Sequence, residues 1–277
     1  MQLQDVNGFV IDLDGTVYRG GEVIEGVTQT IEKLRSLGKR IVFLSNRGNI
    51  SKKMCYNQLA RMGLGVQLDE IILSSTVSAA YIKEHYEEAA VWVLGDEGLR
   101  DELREVGVTL AEYPECADWL LITLHESLTY KDLNEAFRAA YHGARIMATN
   151  ADKMFPSAEG LSIDVAGMIG AIVAATGREV ELVIGKPSQL MADAAIGALG
   201  IPVEQCLIIG DSLESDIQLG KKAGMMTALV LTGNLTREAA ELSELKPDWV
   251  WDSLAALQKI LATNEEAEGR EADGSKQ

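Results

Sequence analysis

The sequence predicts an α/β protein built on parallel β-sheets. Apolar runs of strand length alternate with segments of helical spacing along almost the whole chain of 277 residues. This order is typical of right-handed βαβ units, and apolar strands are typical of parallel sheets that are covered on both faces. Ligands bind at the carboxyl ends of the strands in such sheets, so the polar residues that end each apolar run are the candidate site residues.

Local signals bound the predicted elements. The first helix has Val27, Ile31 and Leu34 at helical spacing, Gly38 lies at its C-cap, and Ser51 is the predicted N-cap of the second helix. The first predicted strand begins the stretch 9–16. The other predicted strands cover 39–46, 70–75, 91–94, 119–124, 144–148, 181–184, 205–210, 227–231 and 247–251. The predicted helices cover 27–37, 51–62, 76–86, 98–106, 130–141, 161–175, 188–199 and 213–223, and a last helix carries Leu254, Leu257 and Leu261.

The charge and composition argue against several classes of partner. Acidic residues number 42 and basic residues 25, and the net charge of -17 repels nucleic acid and anionic membranes. No apolar run approaches the roughly 20 residues of a membrane helix, and no secretory signal is evident. The three cysteines, Cys55, Cys116 and Cys206, fit no metal spacing and indicate reduced thiols, so we expect a cytoplasmic protein.

The strand end with the strongest chemical signal is DLDGT at 12–16. Asp12 and Asp14 follow an apolar run, and carboxylates at the end of a buried strand are costly unless a cation compensates them. Alternate residues of a strand share a face, so both side chains can address one ligand. The pair indicates a catalytic or metal-binding edge. The alternative is a strand that simply ends in an Asp-Gly turn.

Two further strand ends offer positive charge and hydrogen-bond donors. Ser45 and Asn46 end the second strand and precede Arg47, a combination suited to cradling a phosphate. Lys186 lies just beyond the strand 181–184 and before the next helix. The alternatives are a polar turn that caps the following helix at Ser45 and an ordinary surface lysine at Lys186.

The fourth strand end carries Asp211, and Asp216 follows about one helical turn later. Alone, these acids could serve as caps of the helix that follows. Together, the four strand ends supply two carboxylate pairs, a hydroxyl with an arginine, and a lysine. This inventory suits phosphoryl transfer on Mg²⁺, which prefers hard oxygen ligands. The three histidines have no paired spacing, which argues against zinc hydrolysis and a Ser-His-Asp triad.

Four motifs in this order resemble those of the haloacid dehalogenase (HAD) superfamily, namely DLDGT at 12–16, LSN at 44–46, GKP at 185–187 and GDSLESD at 210–216. ATNAD at 148–152 and AGMIGAI at 166–172 resemble its NagD-like subfamily. Within that subfamily the chain is most similar to the sugar phosphatases of bacterial arabinose operons. One departure is Arg47-Gly48, where many relatives have a second asparagine.

The resemblance implies a Rossmann-like HAD core, a parallel sheet flanked by helices, with an inserted smaller α/β cap domain of the C2 type. The span between the first two motifs is too short for a cap, so the insertion must follow the second motif. The expected domains are 1–79 and 180–262 for the discontinuous core, 80–179 for the cap, and 263–277 for an acidic, disordered tail.

The resemblance also implies a division of roles between the acidic residues. Asp12 would attack phosphorus and form an aspartyl-phosphate. Asp14 would protonate the leaving alcohol and then activate the hydrolytic water. Mg²⁺ would be held by Asp12, by the main-chain carbonyl of Asp14 and by Asp211.

The remaining motif residues would bind the substrate. Ser45 and Lys186 would bind the phosphoryl group, and Asp216 would orient Lys186 or a metal-bound water. Asn46 and Arg47 belong to the same expected phosphate loop. The residues in the cap loops that we expect to contact the leaving group and determine specificity are His125, Glu126, Thr149, Asn150 and Asp152. For Thr149-Asn150 the alternative is a turn that ends a strand near the hinge.

The expected function is therefore a Mg²⁺-dependent phosphatase for small phosphorylated metabolites, in the first place sugar phosphates. Broad specificity is expected because the cap loops contain no dense cationic or aromatic cluster. The alternatives are a phosphatase for pyridoxal phosphate or a nucleotide, and a catalytically silent phosphate-binding protein. A haloacid dehalogenase proper requires neither the metal nor an acid at position 14, so the presence of Asp14, Asp211 and Asp216 argues against that activity. The resemblance further implies a homodimer that forms through the cap.

Overall fold

The computed structural model describes residues 3–157, 160–258 and 260–261. Among these residues the β-strands are β1 Gly8–Ile11, β2 Tyr18–Arg19, β3 Glu22–Val23, β4 Arg40–Ser45, β5 Ile71–Leu73, β6 Ala90–Leu94, β7 Thr109–Leu110, β8 Trp119–Ile122, β9 Arg145–Ala148, β10 Met154–Ser157, β11 Gly160–Ile163, β12 Val180–Val183, β13 Cys206–Gly210, β14 Met226–Val230 and β15 Trp249–Trp251. The α-helices are α1 Val27–Ser36, α2 Lys52–Arg61, α3 Ser74–His85, α4 Glu97–Glu105, α5 Tyr130–Tyr141, α6 Val165–Thr176, α7 Gln189–Leu199, α8 Gln218–Ala223 and α9 Arg237–Leu242.

The chain divides into two compact units. The first unit consists of Met1–Leu44, Met62–Leu64 and the chain from Ala195 onward, and the second of Ser45–Arg61 and Gly65–Ala194. Strands and helices alternate in both, so the predicted α/β class is confirmed.

Five strands of the first unit form a parallel sheet in the order β15-β14-β13-β1-β4. The central strand β1 places Val10 opposite Ile208 on one side and Val42 on the other. Phe9, Val10 and Ile11 are completely buried, and burying each such side chain contributes about 1.5–3 kcal/mol. The end of β1 is therefore held firmly, and the residues that follow it emerge at the carboxyl edge of the sheet.

The second unit has its own parallel sheet, in the order β12-β9-β8-β6-β7. Its core contains Leu120, Ile122 and Ile146 from the central strands and Ala136 from α5. Helix α5 begins where the sequence predicts, because Thr129 forms a capping box: the Thr129 N–H donates to Asp132 Oδ2 at 2.9 Å.

The strand β12 bears on the expected domain boundaries. Val180–Val183, which the expected boundary assigns to the core, pairs in parallel with Arg145–Ala148 in the sheet of the second unit. The strand therefore lies in the sheet of the second unit, one element beyond the expected end of the cap at 179. The expected domain boundaries stay a prediction, and the expected tail 263–277 lies outside the described residues.

The predicted helix 161–175 is wrong at its start. Gly160–Ile163 is instead a strand, and it pairs antiparallel with Met154–Ser157. Helix α6 begins at Val165, and the Asp164 carboxylate accepts a hydrogen bond from the Val165 N–H at 2.7 Å. Apolar and polar residues alternate over Gly160–Ile163, which is the strand period, and Asp164 is an N-cap signal that separates strand from helix.

Three smaller features differ from the predicted elements. Tyr18–Arg19 and Glu22–Val23 form a short antiparallel hairpin, and Thr109–Leu110 adds an edge strand beside β6. The predicted helix 213–223 is divided into one π-helical turn, Leu213–Ile217, followed by α8. Elements of two to five residues are too short to leave a periodic signal in the sequence.

Candidate active site

Three aspartates of the first unit converge at the carboxyl edge of its sheet. Carboxylate oxygens of Asp12, Asp211 and Asp216 all lie within 4.8 Å of one another. Asp12 directly follows β1, and its main-chain N–H donates to the Ile209 carbonyl at 2.9 Å. Asp12 and Asp216 are buried, and Asp211 is half-buried. The backbone of Asp12 is thus fixed by the sheet, and its side chain faces two other acids.

The irregular turn after β13 positions the other two acids. Asp211 follows the last residue of β13, and Asp216 lies on the π-helical turn Leu213–Ile217. The Ser212 N–H donates to Asp216 Oδ2 at 3.1 Å and so holds that carboxylate back toward the strand end. π-helical turns are rare and occur frequently at functional sites.

Glycines surround these carboxylates at points where a side chain would not fit. A Cβ atom at Gly15 would lie 2.3 Å from Asp211 Oδ2, and one at Gly233 would lie 1.8 Å from the same oxygen. A Cβ atom at Gly210 would lie 2.2 Å from the Asp216 carboxylate. Gly15 also has a φ of +82°, which glycine adopts without strain.

The three carboxylates fit a hard divalent cation. Ionised carboxylates this close repel one another, and a cation between them removes that cost. Two ligands of one Mg²⁺ lie at most about 4.2 Å apart, so a group within 4.8 Å needs only a small closure to share an ion. The donor atoms are all carboxylate oxygens, which favours magnesium over zinc.

Asp14 lies in a different environment from these three acids. Its side chain is exposed, and the Tyr18 hydroxyl donates a hydrogen bond to Asp14 Oδ2 at 2.9 Å. An exposed carboxylate can exchange a proton with solvent or with a substrate. The structure therefore separates Asp14 from Asp12 in exposure.

The five other predicted residues belong to the second unit. Ser45 is the last residue of β4 and is 2% exposed, Lys186 is 5% exposed, and Asn150 is 3% exposed. The Ser45 hydroxyl oxygen accepts a hydrogen bond from the Arg47 N–H at 3.2 Å, which shapes the turn after the strand. Lys186 is therefore not the ordinary surface lysine of the alternative interpretation, since a buried ammonium group requires acceptors or an anion beside it.

Asn46 is in direct contact with both Lys186 and Asn150. Asn46 Oδ1 accepts from the Lys186 N–H at 2.6 Å. Asn150 Nδ2 donates to the Asn46 carbonyl at 2.9 Å. The loops after β4, β9 and β12 therefore meet at one point within the second unit.

Two contacts to these residues are absent from the sequence prediction. Tyr18 supports Asp14, and the Ser74 hydroxyl donates to the Asn46 carbonyl at 2.7 Å. Ser74 directly follows β5, so the rule that singles out polar residues at strand ends indicates it as well. Tyr18 lies on a two-residue strand and has no comparable signal.

Family models and relatives agree on the family. The model for haloacid dehalogenase-like hydrolases matches residues 9–109, and a HAD-hydrolase-like model matches 183–257. The chain is 55% identical to the sugar-phosphatase AraL of Bacillus subtilis over 253 residues, which are 91% of this chain and 92% of that protein. It is 31% identical to the 5′-nucleotidase YutF of the same bacterium over 252 residues, with 91% and 97% covered.

Solved structures agree with the sequence comparison. The 4-nitrophenylphosphatase of Thermotoga maritima has a TM-score of 0.88 to this chain at 32% identity, and the match covers 93% of this chain and 98% of that one. The resemblance inferred from the four motifs is confirmed. The chain belongs to the NagD-like group of the haloacid dehalogenase-like hydrolases, is of the same type as AraL, and is a phosphatase of that family.

Proposed function

We propose that this phosphatase hydrolyses phosphate monoesters of small metabolites, in the first place sugar phosphates, through an aspartyl-phosphate on Asp12 and with Mg²⁺ as cofactor. The observation that carries the proposal is the group of Asp12, Asp211 and Asp216 at the end of the central strand. Phosphatases of this family generally use a divalent metal. Three converging carboxylates are the protein's means of holding one.

Asp12 and Asp211 would hold the Mg²⁺, together with the main-chain carbonyl of Asp14. When bound, the metal supplies positive charge that offsets the negative charge of the phosphoryl oxygens during transfer. A carboxylate oxygen of Asp216 lies within the same 4.8 Å limit of those of Asp12 and Asp211. We therefore include Asp216 in the donor set, directly or through a water, in addition to its expected supporting role.

Asp12 supplies the attacking oxygen. Its carboxylate forms a bond to phosphorus while the bond between phosphorus and the ester oxygen breaks. Asp14 donates a proton to the departing oxygen and then takes a proton from the water that attacks the aspartyl-phosphate. This second step releases inorganic phosphate and restores both carboxyl groups. The hydrogen bond from the Tyr18 hydroxyl fixes the position of the Asp14 carboxyl group.

Lys186 and Ser45 are the proposed protein ligands of the phosphoryl group. The ammonium group of a buried lysine interacts strongly with phosphoryl oxygens because little water competes for it. The Ser45 hydroxyl is also buried and can donate a hydrogen bond to the same group. Arg47 adds a positive charge in the loop that follows Ser45.

Sugar phosphates are the proposed substrate class because the relative at 55% identity is named a sugar phosphatase. The 31% identity to a protein named a 5′-nucleotidase favours nucleotides as the second candidate. Broad specificity is proposed since the loops after β6, β8 and β9 contain no dense cluster of basic or aromatic residues.

Phosphate release from a panel of substrates tests both the metal and the substrate class. The panel contains sugar phosphates, nucleoside monophosphates, pyridoxal phosphate and p-nitrophenyl phosphate, each assayed with Mg²⁺ and with EDTA. We expect turnover of several sugar phosphates with Mg²⁺ and none with EDTA. Undiminished turnover in EDTA would refute the metal assignment. A nucleotide preferred by orders of magnitude would select the second candidate.

Gly233→Ala is expected to weaken metal binding without unfolding the protein. The new Cβ would lie 1.8 Å from Asp211 Oδ2, so the carboxylate must shift. Disturbing the groups that orient a metal-binding side chain typically lowers metal affinity about 10- to 100-fold. We therefore expect the Mg²⁺ concentration for half-maximal activity to rise by at least about tenfold. Gly197→Ala is the matched control, because nothing lies within 4 Å of its new Cβ. An unchanged Mg²⁺ requirement in Gly233→Ala would contradict the role of Asp211.

The remaining expectations concern partners. No helix in the described part of the chain is long and apolar enough to cross a membrane. The homodimer through the cap, the lack of nucleic-acid binding and the cytoplasmic location stay predictions, and the relevant measurement for the first is light scattering of the purified protein.

A further inference from the structure

We infer that the side chains of Asn46 and Asn150 position Lys186, and that the Asn46 amide does not itself bind the phosphoryl group. This inference rests on the proposed role of Lys186 as a phosphoryl ligand. It changes the role that the sequence suggests for both asparagines, which belong to the motifs LSN at 44–46 and ATNAD at 148–152. Asn46, Asn150 and Lys186 all lie in the second unit.

The side chain of Asn46 forms two hydrogen bonds with the main chain of Lys186, one as acceptor and one as donor. Asn46 Oδ1 accepts from the Lys186 N–H at 2.6 Å, and Asn46 Nδ2 donates to the Lys186 carbonyl at 3.3 Å. An amide side chain that pairs with both main-chain groups of one residue acts as a neighbouring strand would. It fixes the position and the orientation of that peptide segment.

The amide of Asn46 is occupied by the protein itself. Its Nδ2 also donates to Asp152 Oδ2 at 2.9 Å, so the nitrogen has two acceptors for its two hydrogens. A phosphoryl oxygen would therefore have to displace one of them. This occupancy distinguishes a positioning residue from a substrate ligand.

Asn150 holds Asn46 in turn. Asn150 Nδ2 donates to the Asn46 carbonyl at 2.9 Å, and its Oδ1 accepts from the Asp152 N–H at 2.9 Å. The Ser74 hydroxyl donates to the same Asn46 carbonyl at 2.7 Å. Asn150 and Ser74 are buried, so these hydrogen bonds form with little competition from water.

Close packing around Gly185 makes the arrangement rigid. A Cβ atom at Gly185 would lie 2.5 Å from the Thr149 carbonyl oxygen and 2.8 Å from both Asn150 Cβ and Asn46 Oδ1. The peptide that precedes Lys186 is therefore enclosed by the two asparagines. A lysine side chain has four rotatable bonds, so anchoring its main chain removes a large part of its freedom.

A double-mutant cycle separates positioning from direct binding. It compares Asn46→Ala, Lys186→Ala and the double variant in kcat/KM for p-nitrophenyl phosphate and in inhibition by inorganic phosphate. We expect Asn46→Ala alone to lower kcat/KM about tenfold, as the loss of such hydrogen bonds predicts. In the Lys186→Ala background its effect should shrink to within about twofold, because nothing remains to be positioned. Asn57→Ala, at an exposed site on α2, controls for the loss of an asparagine.

The outcomes of the cycle are distinct. Equal effects of Asn46→Ala in both backgrounds would overturn the inference, because a ligand or a general folding defect acts independently of Lys186. Wild-type activity of Lys186→Ala would instead reject the phosphoryl-binding role of Lys186 in the proposed function.

An exchange of the Asn46–Asp152 pair tests the inference even if the alanine variants fold poorly. Asn46→Asp brings a second carboxylate against Asp152, and we expect activity to fall about tenfold or more. Adding Asp152→Asn restores a donor and an acceptor between the two positions, and the residue at 46 can still accept from the Lys186 N–H, although the hydrogen bond to the Lys186 carbonyl stays lost. We therefore expect partial recovery, to at least about threefold above the activity of the single variant. If the exchanged pair stayed as inactive as the single variant, Asn46 would not be acting through this contact.

Discussion

Asp12→Asn is expected to lower turnover of p-nitrophenyl phosphate by about 10⁴-fold or more, which is the usual cost of removing a nucleophile. An amide oxygen is a poor nucleophile, and the substitution also removes one of the three charges that surround the metal position. The side chain keeps its size at a buried position, so the fold should be retained. Far-ultraviolet circular dichroism and the thermal unfolding midpoint should remain close to those of the wild type.

The matched control for this variant is Asp252→Asn. It makes the same chemical change in the first unit, at a side chain that is 91% exposed and forms an ion pair with Arg237. Surface ion pairs contribute little to stability, so its activity should equal that of the wild type. Full activity of Asp12→Asn would show that another group attacks phosphorus.

Asp14→Asn is expected to stall the enzyme after the first half of the reaction when the substrate is p-nitrophenyl phosphate. The p-nitrophenolate group departs without a proton, so Asp12 can still be phosphorylated. The following hydrolysis lacks its general base and should slow by about 10²- to 10⁴-fold. A rapid-mixing experiment should therefore show a burst of p-nitrophenolate stoichiometric with enzyme, followed by very slow turnover.

Sugar phosphates should behave differently in the same variant. Their leaving group is an alkoxide, which needs the proton that Asp14 supplies, so no burst of free sugar is expected. The contrast between the two substrates is specific to a residue that moves protons. A variant that was merely misfolded would lose both reactions alike. Equal bursts from both substrates, or steady wild-type turnover, would contradict the assignment of Asp14.

The alternation of strands and helices and the placement of the strand-end acids could be predicted from the sequence because they depend on local signals. An apolar run followed by Asp12 defines a strand and its end without knowledge of the rest of the chain. Asp211 follows an apolar strand in the same way. Their convergence then follows from parallel topology, since the carboxyl ends of neighbouring strands share one edge.

The errors in the predicted fold arise where two signals overlap. The segment from Leu161 onward is apolar and rich in small residues, like the helix that follows it. The two apolar residues before Asp164, Leu161 and Ile163, are too few to distinguish the strand period from the helix period. The antiparallel pairing with Met154–Ser157 decides in favour of a strand. The expected cap ended at 179, just before strand β12, because the pairing of this strand with Arg145–Ala148 depends on a contact distant in sequence.

The roles of the two asparagines could not be predicted for a related reason. Asn46 lies 140 positions from Lys186 and Asn150 lies 104 positions from Asn46, and nothing in the local sequence specifies these partners. Proximity to a motif suggests contact with substrate. Only the hydrogen bonds in the folded chain distinguish a residue that touches the substrate from one that fixes its neighbour.

The most direct test of the proposed mechanism is to identify the phosphorylated residue in the stalled Asp14→Asn enzyme. After the burst with p-nitrophenyl phosphate, borohydride reduces an aspartyl-phosphate to homoserine, which is stable to proteolysis and is located by mass spectrometry. The mechanism predicts homoserine at position 12, in proportion to the burst, and none without substrate. Homoserine at another aspartate, or a burst that leaves position 12 unmodified, would contradict the assignment of Asp12 as the nucleophile.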